Sequence, residues 1–353
     1  LTGSIVFWAA WFAAAIAIAA TTTVRLVGWA RMLGALDRPN DRSSHTKVTP
    51  RGGGMAIVVV TVLAALAAAM LYPAAATRLA AIVIPAVTIA AVSWIDDVRT
   101  LKNRVRFSVH LAAAAAATAA LGPVHTVDLG SFGSLDLGHA AWPLTILWIV
   151  GLTNAFNFMD GIDGIAGITA AAAGAGLAAA AWLLGGPAIA AVALAFAGAA
   201  LGFLSQNWPP ARIFMGDVGS AFCGFLIAVL PLGMPAADVP RIVPVAVLAM
   251  WPFIFDTLFT IVRRLRRGEN VFQAHRSHLY QRLVIAGWSH RATSSLYGSL
   301  AAMAVAIAIT PLLNPALRVT ADPAAAALIG TCSLFLVGLA ILTERWRSST
   351  PAS

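Results

Sequence analysis

Apolar residues run through this chain in long continuous stretches, with neither the alternation of a half-buried strand nor the one-sided stripe of a surface helix. Roughly 20 mostly apolar residues form a helix that crosses a bilayer core. By that ruler eleven segments qualify: 4–22, 55–72, 79–95, 107–121, 140–156, 165–184, 187–204, 220–234, 242–261, 294–313 and 323–342. Several are short and rich in Ala and Gly, which suits close approach of neighbouring helices. No internal repeat or long linker interrupts them, so 1–353 reads as a single integral domain. The pattern predicts an all-α polytopic membrane protein with about eleven transmembrane helices; a barrel would alternate apolar and polar positions instead.

Composition agrees. Apolar side chains make up 60% of the 353 residues and charged ones only 10%, against about 45–50% and about 25% in soluble domains. Cys223 and Cys332 both lie inside apolar runs, so no disulfide framework is implied. The net charge of +9 changes the picture only through its distribution. Of the 23 Lys and Arg residues, 20 fall in alternate connections and the C-terminal tail, and the opposite side holds only Arg78, Arg241 and Arg318. Cytoplasmic loops carry such an excess, so the N-terminus is expected outside and the C-terminus in the cytoplasm, with no nucleic-acid partner. The segment 4–22 lacks a basic leader and its first cation, Arg25, follows it, unlike a cleaved signal peptide.

Charge near a bilayer is costly unless it is used, which makes the twelve Asp and two Glu informative. Asp37, Asp41, Asp96, Asp97, Asp160, Asp163 and Asp217 all fall on the predicted inner face, and Asp256 lies one to two turns inside the same end of the ninth span. The loops that carry the chemistry are 24–54, 96–106, 157–164, 205–219 and 263–291. Asp96-Asp97 taken alone could be a solvated helix end. In the run Asn154 to Gly164, spacings of three put Asn154, Asn157, Asp160 and Asp163 on one side if the backbone stays near-helical; amides and carboxylates there can bind a base and sugar hydroxyls. Asn207 to Ser220 places Asp217 between glycines just before a helix, where it could cap that helix or hold Mg²⁺ beside phosphate oxygens. Thr49-Pro50-Arg51-Gly52-Gly53-Gly54 makes a cationic anion cradle without the Lys-Ser/Thr ending of a P-loop. His275 and His278, with Arg276 between them, could grip a diphosphate; a zinc pair is the rival, but no Cys or HExxH glutamate lies nearby. Arg263 to Arg267 reads as an inner anchor that attracts anionic head groups. The isolated His45, His110, His125, His139 and His290 point to no chemistry, His110 reading as a packed intramembrane imidazole, and the stretch 127–137 reads as a small outer hairpin.

Together, Asp37-Arg38-Pro39-Asn40 with Arg42-Ser43-Ser44-His45 and the Pro50 to Gly54 turn, Asp96-Asp97, the Asn154 to Gly164 run, Phe214 to Ser220 and the final histidine loop resemble the polyprenyl-phosphate N-acetylhexosamine-1-phosphate transferases. The form His275-Arg276-Ser277-His278-Leu279-Tyr280-Gln281-Arg282-Leu283 is closer to the branch that starts O-antigen or capsule chains than to the His-Leu-His-His-Arg-Leu of the N-acetylglucosamine branches. The resemblance implies transfer of a sugar 1-phosphate from a UDP-sugar to undecaprenyl phosphate in the bilayer, giving UMP and starting a cell-surface glycan. It makes Asp217 a ligand of Mg²⁺, for which Mn²⁺ can substitute. Asn207, Phe214 and Asp163 would contact uracil, Asn157 and Asp160 the nucleotide and reaction centre, and Asp96 and Asp97 the lipid phosphate. The sugar would be a UDP-N-acetylhexosamine, with a 6-deoxy form expected from the histidine loop. A homodimer is left open. The rival class is a secondary transporter of an anionic substrate, which would place ionisable groups at mid-membrane on broken helices of repeated halves.

Overall fold

In a computed structural model the protein is described over residues 4–32, 35–37, 48–99, 101–270 and 275–349. The segment 38–47, which carries the Arg38-Pro39-Asn40 and Arg42 to His45 motifs and Asp41, and Ala274 of the histidine loop lie outside the described residues.

The described residues form an all-α membrane bundle, and each expected span overlaps at least one helix. These are α1 (Ile5–Met32), α2 (Met55–Leu71), α3 (Ala76–Arg99), α4 (Asn103–Leu121), α5 (Ala141–Met159), α6 (Ile165–Leu183), α7 (Pro187–Asn207), α8 (Asp217–Val229), α9 (Val239–Ala249), α10 (Trp251–Arg266), α12 (His290–Leu313) and α13 (Arg318–Ser349). A short α11 (Leu279–Ile285) lies in the histidine loop. Among the described residues seven helices, or eight if the bent α9–α10 pair is one span, are long and apolar enough to cross a membrane, against the eleven expected. The helices α2 and α8 are shorter, and α4 opens on Arg104 and Arg106. Two differences from the sequence expectation matter. The helix α1 continues to Met32, past the expected loop start at 24. The ninth span is broken into α9 and α10, bent by 64°.

Small residues place the helices. Without a hydrophobic drive between helices in lipid, close backbone packing carries association. A Cβ on Gly202 of α7 would stand 2.5 Å from the Ile16 carbonyl of α1, and one on Gly224 of α8 would stand 2.8 Å from the Leu152 carbonyl of α5. The helix α7 is buried along most of its length under α1, α2 and α6. The helix α8, buried from Val218 to Val229, is held between α3 and α5.

Among the described residues strand is confined to two small pairs. β1 (Leu36–Asp37) pairs antiparallel with β2 (Thr49–Pro50), and β3 (Thr126–Asp128) pairs with β4 (Ser134–Asp136), as the expected hairpin. The β3 to β4 turn is fastened to the start of α13: Asp322 accepts from the Ser131 hydroxyl at 2.7 Å, and Arg318 pairs with Asp128.

Candidate active site

One end of the bundle gathers the Pro50 to Gly54 turn, Asp96-Asp97, the end of α5, the loop before α8 and the histidine loop. The first helix turn of α8 organises it. Its free N–H groups need acceptors, and Asp97 of α3 supplies them: Oδ1 accepts from Asp217 N–H at 3.1 Å and Oδ2 from Val218 N–H at 3.0 Å. Asp97 therefore caps α8, the role that Asp217 itself could have taken. The glycines beside it admit other backbone. A Cβ on Gly54 would lie 2.3 Å from Gly219 Cα, and Gly216, at φ +74°, sits against Asp97. Gly53 and Gly54 donate to the Phe214 and Met215 carbonyls, each at 2.9 Å, so Thr49 to Gly54 forms one wall of the site. Arg51 donates to the Asp97 carbonyl, and Thr49 is buried in β2.

With the first turn of α8 capped by Asp97, the Asp217 carboxylate is left to pair with side chains from other helices. Arg106, in the first turn of α4, joins three expected site residues. Its Nη1 meets Asp96 Oδ2 and its Nη2 meets Asp217 Oδ2, both at 2.7 Å. The amide oxygen of Asn157 accepts from Arg106 at 2.6 Å, while its nitrogen donates to Asp217 Oδ1 at 3.2 Å and Ser220 Oγ at 2.9 Å. Asp96 also accepts from the Leu101 N–H at 2.5 Å. The sequence pattern did not single out Arg106; its signal was a cation at the foot of an apolar helix, nine residues beyond a carboxylate pair.

The run Asn154 to Gly164 does not stay helical as expected. The helix α5 ends at Met159, because Gly161 packs under the Tyr280 hydroxyl and Gly164 takes φ +81°. Asn154 lies more than a turn deeper than Asp160 and donates to the Val150 carbonyl at 2.7 Å. Asp160 is placed at the corner, where burial and then the Asp217, Asp97 and Asp163 carboxylates raise it well above the usual carboxylate range. Asp163 turns away to the 207–213 loop. It accepts from Ala211 N–H at 3.0 Å and lies 3.3 Å from His290, which by sequence is an isolated histidine. Asn207 is 3% exposed and holds two loops together: it accepts from Gly164 N–H and donates to the Ile213 carbonyl, each at 2.9 Å. Phe214 stands partly exposed beside Arg51.

The histidine loop docks on the same corner. The Tyr280 hydroxyl donates to the Phe158 carbonyl at 3.1 Å, and the His278 ring lies 6.4 Å from that of Phe158. His275 and His278 are 5.1 Å apart ring to ring. Burial, followed by His278 and Arg264, pushes His275 down to about 4, so it is a neutral ring at pH 7 and not the cation that a diphosphate grip would want. Arg276 is exposed.

Among the described residues no three His, Cys, Asp or Glu side chains converge as a metal cage. Mg²⁺ rarely uses one; it is held by one or two carboxylates, waters and substrate phosphates. Asp217, with Asp160 facing it, offers such hard oxygen donors, and the residues present fit that ion.

Comparison with known proteins gives a consistent picture. The profile of glycosyl transferase family 4 matches residues 79–234. A probable undecaprenyl-phosphate N-acetylglucosaminyl 1-phosphate transferase of Bacillus subtilis is 35% identical over 264 residues, covering 73% of this chain and 72% of that protein. A decaprenyl-phosphate N-acetylglucosaminephosphotransferase of Mycobacterium tuberculosis is 32% identical over 318 residues, covering 79% and 76%. An undecaprenyl-phosphate alpha-N-acetylglucosaminyl 1-phosphate transferase of Escherichia coli is 27% identical over 290 residues, covering 79% and 77%.

Proposed function

Because the chain belongs to glycosyl transferase family 4, within the polyprenyl-phosphate N-acetylhexosamine-1-phosphate transferases, we propose that it transfers N-acetylglucosamine 1-phosphate from UDP-N-acetylglucosamine to undecaprenyl phosphate and releases UMP. The sugar follows the names of its relatives. The form of its own histidine loop instead predicts a 6-deoxy N-acetylhexosamine, and a donor panel separates the two. The active site faces the cytoplasm, where UDP-sugars are made and where the basic loops fall.

The observation that carries the reading is Arg106 between Asp96, Asp217 and Asn157, with Asp160 at the same corner. Phosphoryl transfer asks a protein chiefly for positioning and charge stabilisation. An oxygen of the lipid phosphate attacks the phosphorus that carries the sugar, the bond from that phosphorus to the bridging oxygen breaks, and UMP departs with that oxygen. Arg106 and Arg51 provide cations beside the diphosphate. Asp217 and Asp160 would hold Mg²⁺, or Mn²⁺ in its place. When bound, the ion neutralises phosphate charge and orients the reacting groups. Asp97 and Asp96 act here as positioning residues, one capping α8 and the other holding Arg106. A lipid phosphate, with its second pKa near about 6, is already ionised at neutral pH and needs no general base. Thr49, Asn207 and Asp163 shape the nucleotide wall, Phe214 offers a ring face to the base, and Asn154 supports α5 beneath them.

Nothing favours a transporter. The broken helix α9 to α10 does carry Asp256, but that carboxylate is surrounded by protein donors and leaves no room for a coupling ion. The test is UMP release from purified protein given undecaprenyl phosphate, Mg²⁺ and a panel of UDP-sugars. Release with UDP-N-acetylglucosamine is expected, abolished by chelation and by Asp217→Asn in a folded protein. No release with any donor would overturn the reaction, and preference for a 6-deoxy donor would overturn the sugar. Full turnover by Asp217→Asn at low Mg²⁺ would overturn the ligand assignment.

A further inference from the structure

Asp256 lies in the first half of α10, near the bend with α9, and is fully buried. A carboxylate so placed is costly unless every lone pair has a donor. Here five donors converge on it. Oδ1 accepts from His278 Nδ1 at 3.1 Å, Leu279 N–H at 2.8 Å and Thr260 Oγ1 at 3.2 Å. Oδ2 accepts from Tyr280 N–H at 3.1 Å and the Tyr297 hydroxyl at 2.7 Å. Four of the five therefore come from outside α10, and three of those from the consecutive residues His278, Leu279 and Tyr280.

A helix cap alone would need only the two backbone donors. The contact with His278 adds something that a cap does not supply. In a neutral imidazole one nitrogen carries the proton and the other accepts, and a partner on one nitrogen decides which. A carboxylate oxygen only accepts, so His278 must carry its proton on Nδ1. Nε2 is then the acceptor nitrogen, available to a substrate hydroxyl. The ring plane is fixed as well. His278 is 4% exposed, stacks on Tyr280 at 5.8 Å and lies beside Phe158, two residues from Asp160. The ring cannot turn to offer Nδ1 without abandoning Asp256.

We propose that Asp256 is the positioning residue of the histidine loop, fixing the Nδ1–H tautomer and the orientation of His278 so that Nε2 is the nitrogen presented to the sugar-diphosphate substrate. The inference rests on the proposed transferase reaction for its last clause only. The tautomer is a property of the resting protein and is measured without turnover. An isosteric amide at 256 keeps the volume of the carboxylate but leaves a single acceptor oxygen for five donors, which weakens the hold on Nδ1–H. Asp256 thus acts through His278 and touches no reacting atom.

The experiment uses full-length protein labelled with ¹⁵N-histidine, with His278 assigned by comparison with His278→Gln. The wild-type resonance pattern is expected to be that of Nδ1–H. In Asp256→Asn the Nδ1–H form is expected to give way in part to Nε2–H. Turnover by Asp256→Asn is expected to fall about 10- to 100-fold in kcat, the usual effect of removing a histidine's orienting partner, while KM for the UDP-sugar changes by less than about threefold. In a His278→Gln background the same substitution is expected to cost nothing further, because its target is already gone. An Nε2–H tautomer in the wild-type protein would overturn the proposal even if no variant folds. So would an equal loss from Asp256→Asn with and without His278. Absence of UMP release by the wild-type protein would instead overturn the reaction and leave the tautomer result standing.

Discussion

Arg106 shows what a single residue does in a crowded site. Three carboxylate or amide groups meet its guanidinium, and two of them, Asp96 and Asp217, sit on different helices. Lysine cannot reproduce that, since it is a point charge without the planar fork that meets two partners at fixed angles. Arg106→Gln and Arg106→Lys should both lower kcat for UMP release by about 10²- to 10³-fold, the range seen when one stabilising donor is removed. Near-wild-type turnover by either would remove Arg106 from the reaction centre. The sequence could display the carboxylates of this cluster because acidic residues are rare in so apolar a chain. It could not display which of its 23 cations closes the charge balance, because the basic residues also record topology and Arg106 looks like any other inner-loop arginine. Asp256 was visible as an odd charge inside a span, and His290 was visible only as an isolated ring. Their partners, His278 and Asp163, are distant in the chain, so neither pairing leaves a local pattern.

At the scale of elements, the apolar runs located the helices because their length is dictated by the bilayer, whereas the helix ends are dictated by packing. That is why α1 overran its expected end and why the Asn154 to Gly164 run left the helix at Asp160. The glycines were legible as points of close approach, but what approaches is the protein itself. Gly54 and Gly219 bring the 50–54 turn and α8 together backbone to backbone. Because backbone cannot step aside as a side-chain tip can, Gly54→Ala should destabilise by about 3 kcal/mol, the upper end of overpacking, and should lose UMP release with it. Gly151→Ala in α5, whose Cβ would meet nothing within 4 Å, is the control and should be neutral or slightly stabilising in thermal unfolding. Equal melting temperatures for the two variants would refute the packing argument.

A second contact between elements has a pH signature. Arg282 of α11 pairs with Glu344 beyond the apolar stretch of α13, with Nε at 2.5 Å and Nη2 at 2.6 Å. The hydrogen bonds from Arg282 hold Glu344 below its ordinary value of 4.5. A carboxyl depressed on folding stabilises the folded state above its unfolded value, and that contribution is lost as the pH falls through the folded value. Glu344→Gln should therefore lower the melting temperature at pH 7, and its difference from wild type should shrink as the pH drops through and below 4.5. The effect should stay below about 1 kcal/mol, since Glu344 is nearly half exposed and solvent screens it. A difference that persists unchanged into acid would assign it to packing of the side chain.

For the whole molecule, the two ends of the bundle are chemically different. One gathers the carboxylate cluster, the 50–54 turn and the histidine loop; the other carries the β3 to β4 hairpin fastened to α13 and no Lys or Arg between 107 and 142. The 20 to 3 division of cations predicts how that difference is oriented across a membrane, because a basic loop is retained on the side of synthesis. Under the proposed reaction the site opens to the compartment that makes its sugar-nucleotide donor, so charge and chemistry predict the same face. Single cysteines can test this directly. Both native cysteines, Cys223 and Cys332, are buried, and Ser134 in β4 and Asn270 after α10 are exposed. In intact cells an impermeant thiol reagent should label Ser134→Cys and spare Asn270→Cys until the membrane is opened. Labelling of both from outside would break the assignment of the catalytic loops to the cytoplasm. Labelling of Asn270→Cys alone would invert the protein and set its site against a compartment without UDP-sugars, which the proposed reaction could not survive.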